Sequence, residues 1–244
     1  MNQIRHVYRK LLRFHGPQGW WPIVDPELGS GTYYLDAPRN GMDVFEICVG
    51  AILTQNVAWK NAEKALYNLK RARLLDPGLI RGARLTTLGE KIRSSGYYNQ
   101  KAKKLKHFTE WYRRYGYNHL AIAALGQDRL RSELLAVSGI GPETADSILL
   151  YALGMKTFVV DAYTKRMFTR LGLICRGESY EGVRAMVHGL FPGSAPIYNE
   201  FHALIVAHGK DYCAKRPTCA TCCLEVGCAK ILDDAAHPGI LPQS

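Results

Sequence analysis

Cys213, Cys219, Cys222 and Cys228 stand close to the C-terminus with the spacing C-x5-C-x2-C-x5-C, and Cys223 lies among them. In a chain without secretory features disulfides are not expected, and thiols grouped in this way are most simply a metal site. Zinc takes four such ligands, and a cuboidal iron–sulfur cluster needs four thiolates. The alternative is a set of free buried thiols. Upstream, Leu134 to Arg166 reads LLAVSGIGPETADSILLYALGMKTFVVDAYTKR. A Gly-Ile-Gly turn followed by Val-Val-Asp is not the setting of a zinc ribbon, so the company these cysteines keep favours the iron–sulfur reading.

With 244 residues, 47% of them hydrophobic, the chain can bury a core as one large or two small domains. A formal charge of +11, from 32 basic and 21 acidic residues, attracts polyanions and makes their binding salt-dependent. Ile4, Val7, Tyr8, Leu11 and Leu12 fall on one helical face of the N-terminal segment. That is a docked amphipathic helix, not a signal peptide. No run approaches the roughly 20 apolar residues of a membrane helix, so no membrane partner is expected and the protein is expected to be cytoplasmic.

Helical periodicity dominates and no run alternates as a strand would. Helices are expected around 44–55, 62–69, 97–115, 128–137, 144–153, 162–171, 180–190 and 197–208. Thr87 and Glu90 have the spacing of a capping box that opens a helix ending at Gly96. Residues 17 to 41, rich in Gly, Pro and Asp, read as irregular.

In Val137-Ser138-Gly139-Ile140-Gly141-Pro142 two glycines permit a tight turn whose amides can approach a phosphate, and Pro142 suits the first turn of the next helix. Alone, this is an ordinary helix–helix turn. With an apolar helix before it, Thr144-Ala145 after it and Val159-Val160-Asp161 further on, it resembles the helix-hairpin-helix DNA glycosylase superfamily that includes endonuclease III. The resemblance extends to Leu53-Thr54-Gln55-Asn56 and to His208-Gly209-Lys210 before Cys213. It implies that Gly139, Ile140 and Gly141 hold the DNA backbone, that Gln55 fills the gap left by an extruded nucleotide, and that Asp161 serves the glycosidic bond. It also implies a [4Fe-4S] cluster on Cys213, Cys219, Cys222 and Cys228, although the first interval is five residues where the family usually has six. Cys223 in place of Cys222 is the minor alternative.

A carboxylate near the sugar can stabilise the positive charge that builds there or activate the attacking water. Asp161 is the candidate, and helix N-cap is its other reading. Bifunctional family members carry a Schiff-base lysine at the second residue after the last hairpin glycine; here that residue is Glu143. A carboxylate cannot form an imine, so an efficient lyase is not expected.

Trp20, Trp21 and Phe45 are the candidates for a base pocket, with burial in the core as the alternative. Trp20-Trp21-Pro22, Phe45 and the run Gly96 to Lys103 look like one branch, the endonuclease-III-like 3-methyladenine DNA glycosylases, which stack an alkylated base on aromatic rings. An alkylated purine is cationic and attracted to aromatic faces, and Glu143 would attract it further. The branch does not require a cysteine cluster, which leaves the lesion less constrained than the reaction. Lys101, Lys103, Lys104 and Lys106 form a basic run that reads equally as a solvated helix face. Lys210, Lys215 and Arg216 border the cysteine loop and are the better phosphate contacts.

The expected structure is an all-α, two-lobed helix-hairpin-helix DNA glycosylase fold with a C-terminal iron–sulfur cluster loop. Residues 43–155 form a helical barrel containing the hairpin, and residues 1–42 plus 156–244 a discontinuous second lobe, with DNA bent across the cleft between them. A monomer acting on damaged double-stranded DNA is expected, nucleoid-associated in a bacterium or archaeon. Three functions remain in play: a monofunctional alkylpurine glycosylase, an endonuclease III-like glycosylase or lyase for oxidised or mismatched bases, and a non-catalytic damage-binding protein.

Overall fold

The computed structural model describes residues 3–34 and 38–232. Helix α1 spans Gln3–His15, a two-stranded antiparallel hairpin pairs β1 (Ile23–Asp25) with β2 (Ser30–Thr32), and α2 (Gly41–Leu53) and α3 (Trp59–Arg71) follow. Next come α4 (Pro77–Gly82), α5 (Leu85–Lys91), α6 (Tyr98–Arg113), α7 (His119–Ala123), α8 (Gln127–Leu135) and α9 (Pro142–Ser147). The last of these continues into a π-helical turn, Ile148–Ala152, before α10 (Ala162–Arg170), α11 (Tyr180–Leu190) and α12 (Ala195–Asp211). No described helix is long and apolar enough to cross a membrane.

Two compact units emerge. One comprises residues 1–16, 160–191 and 204–244; the other comprises 17–159 with 192–203. In the second, α2 is the axis. Every residue from Asp43 to Leu53 is buried, which is why its sequence is apolar nearly all round and not merely on one stripe. Asn40 caps it, accepting from the amides of Met42 and Asp43; such a cap contributes about 1 kcal/mol. Leu105 and Phe108 of α6 are fully buried in the same unit, each stabilising it by about 1.5–3 kcal/mol.

The strand pair was not expected, since three residues a side are too few to show alternation. It is fastened by a buried carboxylate. Glu46, 2% exposed, accepts from the Val24 amide at 2.6 Å and pairs with Lys70 Nζ at 2.5 Å, while Lys70 also donates to the Val24 carbonyl. Glu63 accepts from the Gly31 amide at 2.7 Å in the same way. Residues 17–34 are thus tied to α2 and α3 within the second unit.

The expected capping box is not formed. Helix α5 starts at Leu85, after Arg84, so Thr87 and Glu90 both lie inside it and its N-cap has no side-chain acceptor. The helix ends at Lys91, and a single 3-10 turn, Arg93–Ser95, leads to Gly96 at φ +63°. In the first unit, α1 buries Ile4, Val7 and Leu11 and turns its arginines outward, as its period requires. Tyr8 meets Phe191 with ring centroids 5.4 Å apart. Helix α11 has the expected bounds, with Ser179 capping it through the Gly182 amide.

Candidate functional site

The hairpin joins α8 to α9. Gly139 sits at φ +93°, where a side chain is strained, and a Cβ there would come within 2.3 Å of Lys104 Cγ. Ile140 is buried, while Gly139 and Gly141 stand open to solvent. Pro142 occupies the first turn of α9, where its missing amide hydrogen costs nothing. Glu143 follows, exposed in that same turn, with its carbonyl accepting from Ser147 Oγ at 2.7 Å. Behind it Asp146, 0% exposed, takes a bidentate pair from Arg131 at 2.9 and 3.0 Å and a hydrogen bond from Thr157 Oγ1 at 3.0 Å. This buried pair anchors α9 to α8.

The turn after α2 lies against the hairpin. Gln55 Nε2 donates to the Gly139 carbonyl and to Thr144 Oγ1, and its Oε1 accepts from Lys104 Nζ. Lys101 is 2% exposed and donates to the carbonyls of Leu53 and Ser95 at 2.8 and 2.6 Å. Burial, with a smaller push from the Lys104 charge, lowers its pKa to about 8. The α6 lysine run is therefore divided: Lys103 is exposed, whereas Lys101 and Lys104 are spent on internal carbonyls and an amide.

Asp161 caps α10. Its Oδ1 accepts from the Thr164 amide at 2.7 Å and from Thr164 Oγ1 at 2.9 Å. Lys210, late in α12, belongs to the same unit; desolvation lowers its pKa, against which Asp211 and Asp161 pull upward. Asp161 and Glu143 fall in different units.

Trp20 and Trp21 meet edge to face at 5.7 Å and share Trp59 as a neighbour, with centroids at 5.8 and 5.4 Å. Trp21 is buried against Tyr151, and Gly50 admits its indole, since a Cβ there would lie 3.1 Å from Nε1. Trp20 is half-buried and lines a cavity of about 290 Å³ together with Tyr151, Pro196, Asn199 and Glu200. Burial raises the Glu200 carboxyl above its usual range, partly offset by the amides of Gln18 and Gly19. Phe45 does not join this group. It is 2% exposed and stacked with Phe108 and Tyr112 at 6.4 and 6.1 Å, so its ring belongs to the core, as the apolar context of α2 demands. Trp59, Tyr151 and Glu200 carried no motif in the sequence and are brought to Trp20 and Trp21 only by folding.

Cys213, Cys219, Cys222 and Cys228 all line one cavity in the first unit, while Cys223 does not. Among the described residues no three His, Cys, Asp or Glu side chains converge as a single metal ion requires. Polar groups already face the sulfurs: Arg170 Nη1 donates to Cys213 at 3.4 Å and the Leu224 amide to Cys222 at 3.4 Å, while His208 Nε2 lies 3.2 Å from Cys222. Burial raises the thiol pKa of Cys222 and Cys228, and takes Cys223 to about 11. His208, 0% exposed, is lowered by burial to about 4 and shares its Nδ1 with His15 Nε2 at 3.0 Å. Arg166 and Arg170 tie the loop to α10 by donating to the carbonyls of Gly209, Cys213, Ala214 and Lys215. Four cysteine thiols lining one cavity are the donor set that an iron–sulfur cluster takes.

The sequence profile described as HhH-GPD superfamily base excision DNA repair protein matches residues 49–192. A candidate DNA repair glycosylase of Methanocaldococcus jannaschii is 43% identical over 228 residues, 92% of this chain and 95% of that protein. Endonuclease III of Sulfolobus acidocaldarius is 29% identical over 213 residues, 86% of this chain and 92% of its own length. Among solved structures, the 3-methyladenine DNA glycosylase of H. pylori bound to 1,N6-ethenoadenine aligns with a TM-score of 0.64 at 28% identity, over 86% of this chain and 98% of that one.

Proposed function

The chain belongs to the HhH-GPD superfamily of base excision DNA repair proteins, and from that membership we propose a monofunctional DNA glycosylase that releases an alkylated purine such as 3-methyladenine from duplex DNA. The observation that carries the choice of lesion is the cavity beside Trp20. An indole and a phenol, Trp20 and Tyr151, stand with the carboxylate of Glu200 in its lining, a combination that attracts a cationic, planar base. The likeness to a 3-methyladenine glycosylase over nearly its whole chain supports the same choice.

The chemistry asks little of the protein, because an N-alkylated purine is already an activated leaving group. As the glycosidic bond lengthens, positive charge grows on the deoxyribose, and a carboxylate there lowers the barrier electrostatically or takes a proton from water. Asp161 fills this role. Its Oδ1 is fixed by the cap it makes on Thr164, so the carboxylate is oriented before substrate arrives. Gly139, Ile140 and Gly141 offer the backbone turn that grips phosphate, and Lys210 adds a positive charge. Cys213, Cys219, Cys222 and Cys228 would hold a [4Fe-4S] cluster, whose contribution when bound is to cross-link the loop that runs from Lys210 to Lys230.

Glu143 occupies the place of the Schiff-base lysine and cannot serve as one. The test is borohydride trapping on abasic-site duplex. The protein should form no covalent adduct and Glu143→Lys should form one. Trapping by the unaltered protein would favour instead a glycosylase with lyase activity on oxidised or mismatched bases.

A further inference from the structure

The hairpin and the Gln55 turn are joined through one side chain of α6. Gln55 Nε2 donates to the Gly139 carbonyl at 3.0 Å and to Thr144 Oγ1 at 2.9 Å, and Gln55 Oε1 accepts from Lys104 Nζ at 2.5 Å. A carboxamide has two N–H donors and a carbonyl acceptor, so both hydrogens are committed and the oxygen holds a cation. The hydrocarbon stem of Lys104 lies across Gly139, where any Cβ would strike it. One turn further along α6, His107 Nδ1 is 3.3 Å from the Ser138 carbonyl, and one turn back Lys101 holds the Leu53 carbonyl at the start of the Gln55 turn. A single helix face thus braces both the hairpin and the turn that carries Gln55.

We propose that Lys104 is a positioning residue that parks Gln55 against the hairpin in the free protein. The inference rests on the reading of Gln55 as the side chain that fills the space vacated by a flipped nucleotide. To do that, Gln55 must exchange all three of its contacts for contacts with DNA. Two of them are made to Gly139 and Thr144, which belong to the segment that seats on the phosphate backbone, so hairpin docking and release of Gln55 are linked. The third, to an ammonium, is charge-assisted and the strongest. Lys104 therefore acts through Gln55 and not as one more phosphate contact, although the basic run around it suggests the latter.

Lys104→Met deletes the ammonium and keeps a stem over Gly139, while Lys103→Met removes the same charge from an exposed neighbour. In the free protein, the side-chain amide hydrogens of Gln55 should exchange slowly in the parent and in K103M, and about tenfold faster in K104M. With a duplex that carries a tetrahydrofuran abasic analogue beside 2-aminopurine, fluorescence should report insertion that is about tenfold more favourable in K104M. K103M should lose affinity only in the salt-dependent manner of a phosphate contact. In a Gln55→Ala background the effect of K104M on binding should vanish. Equal exchange in all three proteins overturns the inference, and so does a K104M effect that persists undiminished in Q55A. Slow exchange relieved by K104M in a protein that releases no base from any lesion would uphold the latch and count against the proposed function instead.

Discussion

Replacing Lys101 by methionine tests how the chain holds the turn after α2 in place. The Lys101 ammonium is buried and donates to the carbonyls of Leu53 and Ser95 at 2.8 and 2.6 Å. Lys101→Met relieves the desolvation of a cation but leaves two buried acceptors without a donor, each costing about 1–3 kcal/mol. A net loss of about 3 kcal/mol is expected near neutral pH, or roughly 10 °C in Tm for a chain of this size. The pH dependence gives a second, signed check. Burial, with help from the Lys104 charge, lowers the Lys101 pKa from 10.5 to about 8 in the folded state. Between those values the unfolded chain binds more protons than the folded one, so the stability owed to this group rises with pH across the window and is flat on either side. Thermal unfolding of both proteins from about pH 7 to 10.5 should show a gap that widens as pH rises. Equal Tm values at neutral pH, or a gap that narrows toward alkaline pH, would refute the reasoning.

Other replacements separate structural from chemical roles. Asp161→Asn should leave Tm nearly unchanged, since asparagine caps a helix as well as aspartate does, while base release falls by about two orders of magnitude or more; an equal fall in Tm and activity would show the cap to be its only task. Cys222→Ser should abolish the brown absorption of an iron–sulfur protein and Cys223→Ser should preserve it, with the reverse result assigning the ligand to Cys223. Arg131→Met removes the bidentate guanidinium from the buried Asp146 carboxylate and should destabilise the fold by about 3–5 kcal/mol in chemical denaturation. A loss of less than about 1 kcal/mol would mean that Thr157 and water satisfy Asp146 without it.

The motifs that punctuate the chain were the legible ones. The Gly-Ile-Gly turn with its following proline, the Asp161 cap and the ends of α11 are set by local chemistry, which acts within a few residues and is visible in any short window. Residues whose roles depend on distant partners were not legible. Lys101 reads as part of a solvated basic run because nothing local says that its ammonium will meet the carbonyls of Leu53 and Ser95. Phe45 is aromatic and close to other candidates in sequence, yet the continuous apolar composition of α2 was the truer signal of a core helix. Thr87 and Glu90 have the capping spacing without the extended backbone that a cap needs, because α5 begins two residues earlier. Helices α4 and α7 are too short to show periodicity, although Asp76-Pro77 and Asn118 mark their starts. Glu200 lies far from Trp20 in the chain, and the raised pKa of its carboxyl arises from burial that only the fold creates.

The most direct test of the proposed activity is the release of free base from duplex DNA containing 3-methyladenine, measured with and without subsequent alkali. Release of 3-methyladenine by the parent protein, strand breaks only after alkali, and loss of both in Asp161→Asn are the expected results. Strand breaks without alkali, or no release of 3-methyladenine where thymine glycol or mismatched thymine is excised, would contradict the account.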